Sequence, residues 1–348
     1  MLRVNTHALI PRQRLRWIPK PARFAHEYCF FLHDHCVALL KEYEEAEANL
    51  VGIEFKNKKE ARAFSDAAKG DAIGVLRALG YHEEARRVAI NAITMAMVSD
   101  CLHHVFEALR CLERRKFVVA LNLLRKPLLD SLVFLSWVLG DEDGFYEAFT
   151  KQSPQALSGS NVGNRRPAIL RAAHAKTSLG AAVEVAEIEA ILFDADNVEG
   201  LYWLMQRAVH LITVQRVSVR TEAENFNFIF KSYADDDVYL GVYETLPTVL
   251  LYLTHVIAEL FDRMRPMDEG SMTALRTRST AGLHLVYDTD QVPEFQRQLA
   301  SFAQHFPCGS CGAEPRFSRH NTARALLTES FRCHRCRRVN HFPFAWLF

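Results

Sequence analysis

Two Cys-x2-Cys pairs lie close together near the end of this chain, Cys308-Gly-Ser-Cys311 and Cys333-His-Arg-Cys336. Two short turns, each offering two thiolates, suit a tetrahedral metal. The expected cofactor is a structural Zn2+ held by Cys308, Cys311, Cys333 and Cys336, and iron is the alternative that accepts the same ligands. Gly312 follows the first pair, where a residue able to take positive φ eases the turn. Arg337 stands at the matching place after the second pair. The 21 residues between Cys311 and Cys333 predict a hairpin that brings the pairs together. Alternation in Phe331–Cys333 and in Val339–Phe344 predicts strands around the second pair. A unit this small cannot bury enough apolar surface alone, so metal should supply much of its stability.

The remainder reads as helix. Of 348 residues 49% are hydrophobic, with only 15 Gly and 12 Pro, which allows a large core and excludes low-complexity architectures. Helical periodicity predicts a long helix over 22–50, two short helices over 58–79 closed by Gly80, and a long helix from His82 to Lys116. A further helix over 117–139 contains Pro127, which should kink or break it. Asp141-Glu-Asp143 opens a short helix, and Ser158–Asn164 reads as a loop. Helices are expected over 167–176, 183–194 and 198–216, and from Asp235-Asp-Asp237 to about Arg265. Met267–Ser279 reads as a connector, Leu283–Tyr287 as one short strand, and 291–304 as a final helix. The expected organisation is a basic arm (1–21), an all-α domain (22–266), a connector with a helix (267–304) and the ribbon (305–348).

Charge is unevenly spread. The net charge is +1, but residues 1–26 carry +6 and residues 305–348 carry +5, leaving −10 for the middle. Basic ends on an acidic body invite an anionic partner, RNA or DNA, with a protein partner as the alternative. In the ribbon, Arg316, Arg319, Arg335 and Arg338 offer phosphate contacts, with Phe317 and His320 for stacking. The bland reading is that these cations, with Arg332 and Arg337, offset a four-thiolate zinc site of net charge −2. Trp346 and Phe348 are expected to dock against the body.

Cysteine pairs of this kind, without a secretory signal, predict a reducing, cytoplasmic setting. Pro11, Pro19 and Pro21 disfavour an amphipathic transit helix. Charges within Phe117–Leu139 disfavour a membrane span, so no membrane partner is expected. Two further side-chain sets fall on single helix faces: His26, Cys29, His33 and Cys36, and Asp100, His103, His104 and Glu107. Each reads first as a packing or solvated stripe and second as part of a metal site.

The four cysteines with Gly312 resemble the zinc-ribbon (rubredoxin-like knuckle) family over roughly 305–345. The body, through Leu123–Asp130 with the Ser131–Trp137 run behind it, and through Arg207-Ala-Val-His210, resembles bacterial helical proteins of the HEPN superfamily over about 85–265. In those relatives an Arg and an acid face each other across a helical turn; here Lys126 and Asp130 are four apart, with Arg125 beside them. The two resemblances imply a mainly α fold, a HEPN-like multi-helix bundle with a small C-terminal β zinc ribbon. Active members of that superfamily are metal-independent RNases with an Arg-x4–6-His motif. Arg77/His82 and Arg278/His284 match it in spacing only. By position the resemblance points to His210 with Arg207, and a buried structural role for His210 is the competing expectation.

The leading expectation is a zinc-binding, non-catalytic module for a nucleic-acid or protein contact, its helical body serving as a scaffold or homodimer surface. A HEPN-type RNase of a toxin or phage-defence system, and a purely structural ribbon closing the fold, are the alternatives. No Walker loop, Gly-x-Gly-x-x-Gly, Gly-x-Ser-x-Gly or His-Glu-x-x-His occurs.

Overall fold

The computed structural model describes residues 10–151, 154–212, 221 and 236–342. The expected docking residues Trp346 and Phe348 lie outside them, and the helix expected over 198–216 is shorter, spanning Leu201–Val209 with His210 already extended.

The chain runs through α1 (Arg23–Glu45), α2 (Lys58–Ala78), α3 (His82–Leu112), α4 (Phe117–Arg125), α5 (Leu132–Gly140) and α6 (Glu142–Lys151). It continues through α7 (Gly159–Gly163), α8 (Arg166–His174), α9 (Val185–Leu192), α10 (Leu201–Val209) and α11 (Asp237–Met264). The last elements are α12 (Glu269–Tyr287), α13 (Val292–Ser301), α14 (Arg319–Thr328) and two short strands, β1 (Ser330–Arg332) and β2 (Val339–His341). The architecture is mainly α with a small C-terminal β element, as the sequence predicts. Asp71 leaves helical geometry inside α2, which makes it two helices across a kink. Lys126–Ser131 forms a π-helical turn joining α4 to α5, and Pro127, which has no N–H to give, sits at its start.

Three expectations need correction. The loop expected at 158–164 contains the one-turn helix α7. The connector at Met267–Ser279 and the strand at Leu283–Tyr287 are one continuous helix, α12. Its buried positions Met272, Leu275, Ser279, Leu283 and Val286 recur at three and four, and Asp268 caps it by accepting from the Ser271 amide at 2.9 Å. The short alternation in Leu283–Tyr287 is one face of that helix sampled over too few residues. The hairpin expected between the cysteine pairs contains α14, whose cap is Ser318.

α11 is the centre of the core. From Leu246 to Ala258 every one of its side chains is buried, Pro247 included, because α1, α5 and α12 pack around it. By length and composition α3 and α11 could each cross a membrane, but 78% of the apolar window of α11 is buried in this core, which accounts for its hydropathy. Its tyrosines reach carbonyl acceptors on neighbouring helices: Tyr239 donates to Leu112 O, and Tyr252 donates to Leu170 O at 3.2 Å. Leu15 and Ile18, from the basic arm, are 1% exposed, so this part of the arm belongs to the core.

The arm is pinned by charge. Glu113, 4% exposed, ion-pairs with Arg14 at 2.6 Å and Arg110 at 2.5 Å, and meets His26 Nε2 at 3.4 Å. Burial works against the Glu113 charge, but hydrogen bonds from His26 and Arg14 hold its carboxyl below the ordinary range. Replacing Glu113 by Gln leaves these cations without their carboxylate. The expected cost is about 2–3 kcal/mol in urea unfolding, less than for a fully dry pair because Arg14 and Arg110 reach water. An unchanged midpoint would show that the cluster is neutral to stability.

Candidate metal centre

The two cysteine turns are near copies of each other. In the first, Cys308 N donates to Ala313 O at 2.9 Å and Gly312 N to Cys308 O at 2.8 Å. In the second, Cys333 N donates to Arg338 O at 2.9 Å and Arg337 N to Cys333 O at 3.0 Å. Gly312 has φ +67° and Arg337 φ +64°, so the arginine adopts the left-handed conformation that glycine holds in the first turn. Arg337→Gly removes this strain and is expected to raise stability by about 1 kcal/mol, read as a shift in the denaturant midpoint of metal-loaded protein. Lower stability would mean that contacts of the Arg337 side chain outweigh the backbone cost.

The turns face each other. Cys308 and Cys336 sulfurs are 3.5 Å apart, Cys311 and Cys333 sulfurs 3.6 Å, and all four lie within 4.8 Å of one another. A tetrahedron with metal–sulfur bonds of about 2.3 Å has edges of about 3.8 Å. The four cysteines are unoxidised, and their spacing fits one metal ion. Amides point at the sulfurs: the Ser310 amide foremost, then that of Cys311, draws the Cys308 thiol down to about 6. Amides of Cys336 and Arg335 draw Cys333 down in the same way. At Cys336 the Arg338 amide pulls downward, but burial and the neighbouring sulfurs prevail and raise it to about 11. Such a cluster favours partial deprotonation before metal arrives, and a divalent cation would complete it.

Asn321 on α14 stitches the unit together. Its side chain donates to Arg316 O (2.7 Å) and Arg332 O (3.1 Å) and accepts from the Arg332 amide (2.9 Å). β1 pairs antiparallel with β2, Phe331 opposite Asn340. Cys308 and Cys333 pack with Phe331 in a small core separate from that of the body.

Two arginines clamp this unit to α12. Arg319 donates to Leu285 O at 2.5 Å and ion-pairs with Asp288 at 2.9 Å, capping the end of that helix. Arg278, 4% exposed, donates to Leu326 O at 2.5 Å and ion-pairs with Glu329 at 3.0 Å. Arg319 is thus engaged with the body, unlike the other arginines expected at a phosphate surface. Arg316, Arg335 and Arg338 are exposed, as are Arg332 and Arg337. Arg332 donates to Arg337 O and Arg338 to Ser310 Oγ, both neutral acceptors. His334 and His341 are exposed beside them.

The HEPN-derived positions do not converge. Arg207 lies over the Trp203 ring at 4.5 Å, and His210, one turn on at the end of α10, is exposed and not buried as expected. Arg278 of the second spacing match is the clamp residue just described, and Arg77 of the first donates to Tyr146 Oη. Lys126 pairs with Asp100 on α3 at 2.7 Å and not with Asp130. Among the described residues only the C-terminal cysteines form a metal-sized cluster. Cys29 and Cys36 are core thiols pushed up by burial, Cys36 to about 12. Sequence reading missed the Glu113 cluster, since Arg14 and Glu113 are 99 residues apart and no local pattern links them. Set against protein-family models, curated proteins and solved structures, the chain matches none.

Proposed function

We propose that this is a zinc-binding helical protein whose metal-fixed ribbon presents a basic, non-catalytic contact surface to nucleic acid. One observation carries the reading: Arg316, Arg332, Arg335, Arg337 and Arg338 are all exposed on one small unit and none makes an ion pair among the described residues. The nearby acids are few, and Glu329 is already held by Arg278. Cations without carboxylate partners on a rigid unit are what counterion release from a phosphate backbone requires. Zinc is the metal of choice because four thiolates in two short turns form a closed structural site.

The test is a shift assay of zinc-loaded protein with end-labelled RNA and DNA across a salt series. Binding should weaken steeply with salt, and Arg335→Ala with Arg338→Ala should flatten the slope of log K against log salt by about 2. Intact, unshifted probes would reject the reading. They would leave the ribbon a closing element of the fold, a second reading that the Arg278 and Arg319 clamps favour. Cleaved RNA would point instead to a nuclease, with Arg207 and His210 the first residues to change.

A further inference from the structure

An apolar opening lies where α12, α13 and the ribbon meet. It is a cavity of about 940 Å3, and its walls include Phe295, Leu299, Phe302, Phe306, Phe317 and Phe342. The first three stand at i, i+4 and i+7, one face of α13 continued onto its C-cap Phe302, yet Val292 is the only buried residue of that helix. Phe302 is 58% exposed. A helix with so marked an apolar stripe ordinarily spends it on a neighbour. The one cation in the lining, Arg278, is already held by Leu326 O and Glu329, so no charged handle remains for an acidic small molecule.

The position of Phe342 suggests what covers the groove. It leaves the ribbon just after β2, its amide bound to Glu329 O at 2.8 Å and its ring against Phe306 and Phe331. It lines the groove, and the six residues after it are Pro-Phe-Ala-Trp-Leu-Phe, without a charge. Six residues reach about 20 Å when extended, and alternate side chains of an extended chain share a side, here Phe344, Trp346 and Phe348. We propose that residues 343–348 of the same chain dock in this groove, their aromatic side chains against the Phe295–Leu299–Phe302 face of α13. The ribbon would then be held to the body through its apolar residues, and the exposed arginines of its basic turn, which form no part of the groove walls, would stay open. The proposal does not depend on what that basic turn binds.

Photo-crosslinking tests it in the full chain. A benzophenone amino acid replaces Leu299 in an equal mixture of ordinary and 15N-labelled protein, and the crosslinked peptides are read by mass spectrometry. Crosslinks to 343–348 confined to pairs of the same isotope are the expected result. Mixed-isotope pairs would assign the groove to a second copy and overturn the proposal. Crosslinks that avoid 343–348 would overturn it as well. Hydrogen exchange needs no change in the groove and decides the matter if the Leu299 variant misfolds. Deleting 343–348 should speed exchange of the α13 amides about tenfold, and unchanged exchange would reject docking.

Discussion

Cys333→Ser is expected to strip the metal from this chain and unfold residues 308–342, while most of the helical body survives in weakened form. Cys333 is 1% exposed, and its sulfur stands 3.6 Å from that of Cys311, so a hydroxyl there breaks the tetrahedron without changing much volume. The free energy at stake is large, because structural zinc sites contribute about 10–16 kcal/mol of apparent binding energy to units that cannot fold alone. The separate core of Cys308, Phe331 and Cys333 is far too small to replace it. The body should feel the loss through α12. The Arg319 bonds to Leu285 O and Asp288 and the Arg278 bonds to Leu326 O and Glu329 would go, together with the packing of Leu327 and Tyr28 about Gly282. That should lower body stability by about 2–4 kcal/mol. Metal content by atomic emission and urea unfolding followed by circular dichroism read the two effects separately. A variant that keeps a full equivalent of metal would refute the ligand set. Metal loss without any change in body unfolding would refute the coupling through the clamps.

Acid should destabilise the body well before its carboxylates protonate. His255 is 1% exposed on α11, with Nε2 3.0 Å from Ser279 Oγ and Nδ1 3.4 Å from Ser178 Oγ. Burial foremost, with Arg276 and His174 nearby, lowers it to about 3. His35, partly exposed on α1, is lowered by burial to about 4 against the pull of its bond to Phe31 O. A depressed histidine binds its proton more weakly when folded than when unfolded. Its stabilisation is therefore complete above the unfolded value of 6.5 and is lost as pH falls from there toward the folded value. Between pH 7 and pH 5 His255 should cost about 2 kcal/mol, and His35 up to about 2 more, reduced by its solvent exposure. Urea midpoints at the two pH values measure the loss. His255→Gln keeps a polar partner for the serines but cannot protonate, so it should lose about 2 kcal/mol less than the parent over that interval. If it loses as much as the parent, His255 is not the group that titrates.

What was legible in the sequence was whatever depends on neighbours in the chain. The four cysteines that could hold a metal were visible because each pair closes its own turn, and Gly312 announced the positive φ that the first turn uses. Long helices such as α1, α3 and α11 were visible because their 23, 31 and 28 residues sample the 3.6-residue period many times. α12 was misread because Leu283–Tyr287 is too short to separate a strand from one side of a helix, and the signal that settles it, the Asp268 cap, lies fifteen residues earlier. The turn after Cys336 was legible in outline only. Arg337 does there what Gly312 does in the first turn, which the surrounding hydrogen bonds impose against the preference of the residue.

The sequence by itself determined the helical body and the cysteine pairs, because helical periodicity and short Cys-x2-Cys turns are local properties. Only the tertiary structure decided which arginines face solvent. Arg319 and Arg335 are alike as residues in a basic segment, but one reaches the carbonyls at the end of α12 and the other is exposed and makes no ion pair among the described residues. It also decided that Glu113 would gather Arg14, Arg110 and His26 from distant segments, and that the apolar face of α13 would line a groove beside Phe342. A side chain's partner is set by where the backbone of another segment passes, and that is fixed only when the whole core closes.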